Sequence, residues 1–437
     1  MRISVFGLGY VGAVSAACLA AEGHTVVGVD SNPVKVDLLN AARAPVIEDR
    51  LAELTADGVQ TGRLRATTSC LEAIRATDLA FICVGTPSQA NGSLDLTHLR
   101  RVSQEIGDAL RQHEDFFVVV LRSTVLPGTL RELVLPVLER ASGKQAGVDF
   151  GVAVNPEFMR EGSAVHDFYN PPKVIVGATD PVSLERLSPI AARPRAPFFD
   201  TGIELAELAK YVDNTWHALK VAFANEMGTV AKAHGIDGRQ LMEIFCADRK
   251  LNLSSVYLKP GFAFGGSCLP KDVRALDYKS RSLDLDLPVL NAILPSNRSQ
   301  LDRAFELITR HGHRKIGVLG LSFKAGTDDL RESPMVDVVE RLIGKGYDLR
   351  IYDDNVNLAK LVGANRDYIL HQIPHISELM VPTLEEVLDH AQTIVIGNGD
   401  AVFRTILDKL REDQMIVDLV RIKDQPSDGE TYDGICW

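Results

Sequence analysis

Residues 2–7 form a short apolar run, 10–22 a stretch of small residues, and 25–30 (Thr-Val-Val-Gly-Val-Asp) a second apolar run. Strand, helix and strand in that order predict the start of a βαβ unit. Further continuous apolar runs at Leu79–Val84, Phe117–Leu121, Gly151–Val154 and Lys173–Gly177 read as strands buried on both faces, the signature of a parallel sheet between helices. A first domain over residues 1–200 follows.

The period then changes. Between Gly202 and Gly228 there is no proline and no other glycine, and apolar residues recur at three and four, which predicts one long helix to about Ala233. Such a helix can bridge two halves of a molecule and offer a dimer surface. At about 100° per residue, Lys210, Asn214, His217, Val221 and Asn225 share a narrow arc, while Leu205, Leu208, Val212 and Leu219 point elsewhere, as in a helix packed on several sides. The polar arc is either a solvated stripe or the lining of a cleft. Residues 236–305 continue mostly helical, interrupted by a glycine-rich stretch at 260–268. A second α/β cycle opens at Lys315, with strands at Ile316–Gly320, Asp348–Asp353, Thr393–Gly397 and Met415–Leu419 and a helix at Pro334–Gly344. The predicted fold is α/β: two Rossmann-like doubly wound domains, 1–200 and 301–437, joined by a central helical region, 201–300, that contains the long helix.

Composition narrows the class. A chain of 437 residues exceeds one hydrophobic core, and its 46% hydrophobic and 24% charged residues suit a large globular protein. No stretch approaches the roughly 20 apolar residues of a membrane span. The N-terminus runs straight into a glycine turn without the apolar region of a signal peptide, so a cytoplasmic location is expected. The net charge of −11 argues against counterion-driven binding to nucleic acid. Six cysteines without a C-x-x-C pair suggest neither a disulfide framework nor a metal cage. Cys18 and Cys83 read as buried, Cys70 and Cys246 as small core or surface residues, and Cys436 carries no assigned chemistry.

Gly7-Leu8-Gly9-Tyr10-Val11-Gly12 fits G-x-G-x-x-G directly after a strand and at the opening of a helix, with Asp30 closing the next strand 23 residues after Gly7. Gly7 permits the tight turn, Gly9 the approach of backbone to a pyrophosphate, and Gly12 the packing of helix on strand. Asp30 can accept from both adenosine ribose hydroxyls and would repel a 2′-phosphate, so NAD is favoured over NADP. Thr86 in Val84–Pro87 and Thr124 in Arg122–Gly128 follow buried strands at their carboxyl ends, where open α/β sheets bind ligands; each is otherwise an ordinary capped turn. In Pro260–Asp272, Pro270 suits a first helical turn running to about Arg281, which sets Cys268 beside a helix N-terminus with Lys271 near. That environment favours a reactive thiolate over an inert buried cysteine. The stretch Gly320–Pro334 lacks the second close glycine of a phosphate fingerprint but offers Lys324 and Arg331 to a diphosphate, or else is a solvated charged loop.

Together these segments, with Asn155-Pro156-Glu157-Phe158, Arg160-Glu161-Gly162, Glu207–Asn214, Gly265–Asp272 and Phe323–Glu332, closely resemble the UDP-glucose/GDP-mannose dehydrogenase family over essentially the full chain. Asn214–His217, Phe262–Pro270 and Leu321–Gly326 are most similar to the GDP-mannose-oxidising branch that serves bacterial alginate synthesis. Val256 departs from that branch, which has an aromatic residue beside Tyr257. The resemblance implies an intertwined homodimer. It also implies a four-electron oxidation of a primary alcohol, through a thiohemiacetal and a thioester, with GDP-mannose as substrate and UDP-glucose as the alternative. Carried over by position, Cys268 is the nucleophile, Lys210 and Asn214 hold the oxyanion, and Asp272 and Glu161 place or activate water with Thr124 beside them. Tyr10, Val11, Asp30, Lys35, Thr86, Thr124, Lys271 and Arg331 contact NAD, which moves Arg331 from the diphosphate role suggested by its loop alone. Glu161, Lys210, Asn214, His217, Asn225, Tyr257, Lys259, Phe262, Gly265 and Lys324 contact the sugar nucleotide. Two other classes remain open: a hydroxyacid-type dehydrogenase with a single hydride transfer, and a non-catalytic sensor of nucleotide sugar or NAD redox state.

Overall fold

A computed structural model describes residues 1–249, 257–285, 287–356, 374, 376–423 and 428–437; Val256 lies outside them. The chain divides into two compact units, Met1–Asp213 and Asn214–Trp437.

The first unit is built on an eight-stranded sheet. Its strands are β1 (Arg2–Phe6), β2 (Thr25–Val29), β3 (Leu64–Thr67), β4 (Leu79–Ile82), β5 (Phe117–Leu121), β6 (Phe150–Val154), β7 (Val174–Ala178) and β8 (Phe198–Thr201). They lie in the order β3-β2-β1-β4-β5-β6-β7-β8. The order reverses between β1 and β4, so the carboxyl ends of those two strands flank a ligand crevice. The strands from β3 to β6 are parallel. β7 runs antiparallel to β6, pairing Ala153 with Ala178, so the sheet is mixed where the run of apolar strands alone suggested a wholly parallel one.

The continuous apolar runs have a simple cause. On β1, Ile3 and Val5 enter one core with Val14 and Phe81, whereas Phe6 enters another with Ile82, Ile106 and Phe117. With helices on both faces there is no polar side to the sheet, and alternation disappears.

The second unit carries a five-stranded parallel sheet. Its strands are β9 (Lys315–Leu319), β10 (Asp348–Tyr352), β11 (Thr393–Ile396), β12 (Met415–Asp418) and β13 (Tyr432–Gly434), in the order β10-β9-β11-β12-β13. A single core unites Ile316, Val318, Val339, Ile394 and Val417 with the C-terminal residues Ile435, Cys436 and Trp437. The helical residues from Asn214 onward group with this sheet in one unit.

The long helix is Ile203–Ala233. Its exposure departs from what its pattern suggests, although Leu219 packs against the core of Ala218, Phe264 and Val273 as expected. Leu205, Leu208 and Val212, expected to pack, are 58%, 38% and 54% exposed, whereas Lys210, Asn214 and Asn225 are 7%, 7% and 2% exposed. The polar arc is the buried one. Among the described residues no helix is long and apolar enough to cross a membrane.

Phe117 begins β5 and is fully buried among Ile82, Leu110 and Phe150. Phe117→Ala is expected to cost about 3–5 kcal/mol, read from the urea midpoint and slope of the transition that reports the first unit.

Candidate active site

The turn after β1 is made by three glycines with three different constraints. Gly7 has φ +93°, and a Cβ there would lie 2.9 Å from the Cys83 carbonyl oxygen. At Gly12 a Cβ would fall 1.8 Å from the Gly7 carbonyl oxygen, so helix and turn touch directly. Gly9 faces open space: nothing lies within 4 Å of a Cβ built on it. It also N-caps the helix Tyr10–Ala21, and no side chain caps that helix. The first-turn amides and the positive end of the dipole therefore face the gap above Gly9, a cradle that fits a pyrophosphate. Gly12→Ala should remove both the fold's tolerance and the cradle. We expect loss of dinucleotide binding by titration calorimetry together with a lowered unfolding midpoint.

Asp30, just past β2, orients its carboxylate through backbone donors. Oδ2 accepts from Leu8 N at 2.8 Å and Oδ1 from Asn32 N at 2.9 Å, with Lys35 Nζ 3.5 Å away. Each oxygen keeps acceptor capacity for a ribose hydroxyl. Val11 follows Tyr10 in the first helical turn and is partly buried. Thr86 and Thr124 are brought together, the Thr86 hydroxyl donating to the Thr124 carbonyl at 2.7 Å. The Glu161 segment folds back onto the glycine turn: Gly162 N donates to the Tyr10 hydroxyl at 2.7 Å and to Glu48 Oε2 at 2.8 Å. Glu48 also accepts from Ala164 N at 3.1 Å. No motif marks Glu48; an acid in a polar loop carries no local signal of such a role.

Lys210 lies in this unit with Glu157, Nζ to Oε1 3.1 Å, both side chains 8% exposed. Nζ also stands 5.6 Å from the centre of the Phe158 ring. One turn earlier on the same helix, Glu207 is 2% exposed and accepts from Gly128 N at 2.7 Å and Leu130 N at 2.8 Å. It thereby anchors the loop that carries Thr124. Burial pushes its carboxyl up to about 7, against the two backbone hydrogen bonds that favour the anion. The folded protein thus holds this proton more tightly than the unfolded chain. Its contribution to stability is present in mild acid and is lost as pH rises through about 7. Glu207→Gln is expected to flatten the dependence of the urea midpoint on pH between about 5 and 8.

In the second unit, Cys268 is exposed and N-caps the helix Leu269–Ser282, whose first turn contains Pro270. Its neighbour Ser267 places Oγ 3.8 Å from Sγ. One turn into that helix, Asp272 is 1% exposed. Its Oδ1 lies 3.1 Å from Lys271 Nζ, and Oδ2 accepts from the Asn214 amide. The structure therefore brings together Asn214, Lys271 and Asp272. His217 and Tyr257 stack with ring centres 4.8 Å apart.

Asn225 holds the loop that precedes the cysteine through both ends of its amide. Its Oδ1 accepts from Gly261 N at 2.9 Å and its Nδ2 donates to the Phe262 carbonyl at 3.1 Å. Phe264 is held at both backbone groups by Asn297, each at 2.8 Å, a clamp that nothing in the linear pattern marks. Gly265 is required by contact: a Cβ would lie 2.4 Å from the Glu332 carbonyl oxygen. Arg331 forms a fork onto Asp329, Nε to Oδ1 2.9 Å. Lys324, on the loop after β9, is exposed, as is Lys259. Lys259 and Phe262 line a cavity of about 220 Å³ with Arg239, Phe323 and Leu419; it opens at the carboxyl ends of β9, β11 and β12.

The acid after β10 behaves differently from Asp30. Asp353 is 5% exposed, and its Oδ2 accepts from Leu321 N at 2.8 Å, Ser322 N at 3.0 Å and Ser322 Oγ at 2.9 Å. Oδ2 is thus spent on the turn after β9, and Oδ1 accepts from Asn355 N at 3.1 Å.

A glycine cradle at a topological switch point, an acid after the second strand and a second, parallel α/β sheet define a Rossmann-type dinucleotide-binding protein. The UDP-glucose/GDP-mannose dehydrogenase family matches it with three successive domains: the NAD binding domain over residues 1–193, the central domain over 204–299 and the UDP binding domain over 317–425. The chain belongs to this family. It is 53% identical over 438 residues, all of both chains, to a GDP-mannose 6-dehydrogenase of Pseudomonas putida. Among solved structures, a ternary complex of GDP-mannose dehydrogenase from Pseudomonas aeruginosa is 51% identical, with all of both chains covered and a TM-score of 0.58. A UDP-glucose dehydrogenase from Pyrobaculum islandicum is 35% identical, covering 100% of this chain and 98% of its own, with a TM-score of 0.89.

Proposed function

We propose that the protein oxidises GDP-mannose at C6 to GDP-mannuronate with two equivalents of NAD, for an alginate-type polysaccharide. The observation that carries this reading is the exposed Cys268 at a helix start, with Asp272 and Asn214 hydrogen-bonded one turn away, in a chain similar over its whole length to GDP-mannose 6-dehydrogenases. UDP-glucose oxidation is the alternative within the family.

NAD, when bound, supplies the hydride acceptor for both oxidations; Gly7, Gly9, Tyr10, Val11, Gly12, Asp30, Lys35, Thr86, Thr124, Lys271 and Arg331 would hold it. The first oxidation leaves an aldehyde at C6. Cys268 Sγ adds to that carbonyl as the thiolate, forming a C–S bond, and the oxygen becomes the alkoxide of a thiohemiacetal. Lys210 and Asn214, one helical turn apart, stabilise that alkoxide; removing one such donor typically costs about 10²–10³ in kcat. After the second oxidation the carbon is a thioester, and water cleaves it, returning the thiolate and releasing the carboxylate. Asp272 and Glu161 direct that water, with Thr124 beside them. His217, Asn225, Tyr257, Lys259, Phe262, Gly265 and Lys324 position the sugar nucleotide.

The assembly we propose is an intertwined homodimer in the cytoplasm, supported by the exposed apolar side of the long helix, where Val212 and Trp216 are 54% and 44% exposed. The domain roles follow the same assignment: 1–200 for NAD, 201–300 for assembly and the cysteine loop, 301–437 for the sugar nucleotide.

The test is stoichiometric. With GDP-mannose, two NADH should form per sugar nucleotide consumed, and Cys268→Ser should abolish carboxylate formation. One NADH per substrate with an unimpaired serine variant would indicate a hydroxyacid-type reaction; turnover of UDP-glucose alone would move the substrate. Asn214→Ala should lower kcat by about 10²–10³ while KM changes much less.

A further inference from the structure

The chain from Leu258 to Cys268 makes neither strand nor helix, yet Pro260, Gly261, Ala263, Phe264 and Gly266 are buried in it. A buried irregular segment must find partners for its peptide groups outside the ladders of helix and sheet. Here three side-chain amides supply them. Asn225 accepts from Gly261 N at 2.9 Å and donates to the Phe262 carbonyl at 3.1 Å, and Asn297 brackets Phe264, accepting from its N and donating to its carbonyl, each at 2.8 Å. Gln300 is buried, and its Nε2 donates to the Gly261 carbonyl at 2.5 Å. Its Oε1 accepts from Arg303 Nη1 at 3.3 Å, so both ends of that amide are engaged. Asn297 and Gln300 stand three residues apart on the helix Pro288–Thr309 and therefore share a face. Behind them is the thiol of Cys436, Sγ 3.5 Å from Gln300 Nε2. The Phe264 ring is anchored as well, in a core with Ala218 of the long helix, Val273 of the cysteine helix and Ile293.

A primary amide offers a donor and an acceptor at the spacing of a peptide group, and it has no charge to gain or lose. A splint made of amides keeps one geometry across the pH range in which thiols and carboxylates change state. Its position divides its work in two. Gly261 and Phe262 line the cavity of about 220 Å³, in the stretch assigned above to the sugar nucleotide. Phe264 precedes Cys268 by four residues. The chain between them is pinned from its other side: Gly266 N donates to the Glu332 carbonyl at 3.3 Å, and a side chain at Gly265 would meet the same oxygen. The backbone is thus held up to the start of the helix Leu269–Ser282, which Cys268 N-caps. A nucleophile presented in this way spends no binding energy on being ordered when its substrate arrives.

We infer that Asn297 and Gln300 are positioning residues for the reaction: Gln300 presets the segment that receives the sugar nucleotide, and Asn297 presets the approach of Cys268 to the reacting carbon. The kinetic roles rest on the thiol mechanism proposed above; the order of the loop before substrate binds does not.

Two measurements on the intact enzyme test this. Hydrogen–deuterium exchange, read on peptides covering 258–268 of the wild type, should show protection without substrate, and GDP-mannose should slow exchange there by less than about 3-fold. Free exchange without substrate, with protection arriving only on GDP-mannose, overturns the splint. The kinetic arm uses Gln300→Met, which keeps a long side chain and loses the donor, and Asn297→Asp, which keeps the acceptor for Phe264 N and sets a second oxygen against the Phe264 carbonyl. Gln300→Met should raise KM for GDP-mannose about 10-fold with kcat within about 2-fold, whereas Asn297→Asp should lower kcat about 10- to 100-fold with KM within about 3-fold. The introduced carboxyl donates as the amide did once it is protonated, so kcat relative to wild type should recover toward acid pH, and Asn297→Ala should show no such recovery. General destabilisation moves both variants the same way. Equal losses in the two, or a kcat deficit in Asn297→Asp that acid does not relieve, overturn the positioning roles. A wild type that forms one NADH per sugar nucleotide, with Cys268→Ser unimpaired, overturns the thiol reading and with it the role of Asn297, whatever the exchange pattern.

Discussion

Lys210 and Glu157 face each other at 3.1 Å with almost no access to water, and the Phe158 ring stands 5.6 Å from the lysine ammonium. Two charges taken out of water lose several kcal/mol each unless geometry and further contacts repay them. The same constraint recurs along the helix Ile203–Ala233, which buries Glu207, Asn214 and Asn225 among apolar residues such as Ala206, Tyr211 and Ala218. Glu207 is met by two backbone amides, Asn214 by Asp272, and Asn225 by the backbone of Gly261 and Phe262. Two of these partners are loop backbone, at Gly128 and at Gly261–Phe262, and Asp272 lies in the first turn of the helix Leu269–Ser282. The helix orders these neighbours because its own buried polar groups demand it, and polar groups satisfied in this way are a preorganised set of donors and acceptors.

Loop anchoring of this kind also explains why glycine is needed where it is. The chain at Gly265 passes within van der Waals contact of the Glu332 carbonyl, and at Gly12 the helix meets the turn it came from. A side chain at either place would push apart the segments that carry the candidate chemistry, so the glycines express closeness more than flexibility.

The fold is legible wherever one force dominates. Strands buried on both faces, such as β1 and β5, appear as unbroken apolar runs, and the helix after Gly202 appears through its period. Where forces are mixed, legibility fails. β3 alternates and carries Arg65, β8 is short with Phe198 and Phe199 exposed, and β13 has three residues closing on a C-terminal tail. None announces itself locally, since each is held by its neighbour's edge. Motifs expose the glycine turn, Asp30 and Cys268, because chemistry there needs particular residue types at fixed spacing. Glu48 and Asn297 stay hidden: their importance comes from what folds against them. The exposure of Leu205 and Val212 also runs against pattern reading, because which face of a helix is inside is decided by partners that the helix's own sequence does not contain.

The turn of the second sheet has a temporal consequence. Asp353 is 5% exposed and commits Oδ2 to Leu321 and Ser322, so among the described residues the second sheet has no partly exposed acid in the place that Asp30 holds in the first. On the function proposed, one chain then offers a single berth to the hydride acceptor, and the two oxidations must be served in succession. Between them a spent nucleotide departs and a fresh one arrives. A free aldehyde could diffuse away during that exchange; a carbon bonded to Cys268 cannot. The thiol is then as much a mooring as a nucleophile, and the lifetime of its adduct must exceed the time the enzyme takes to change cofactors.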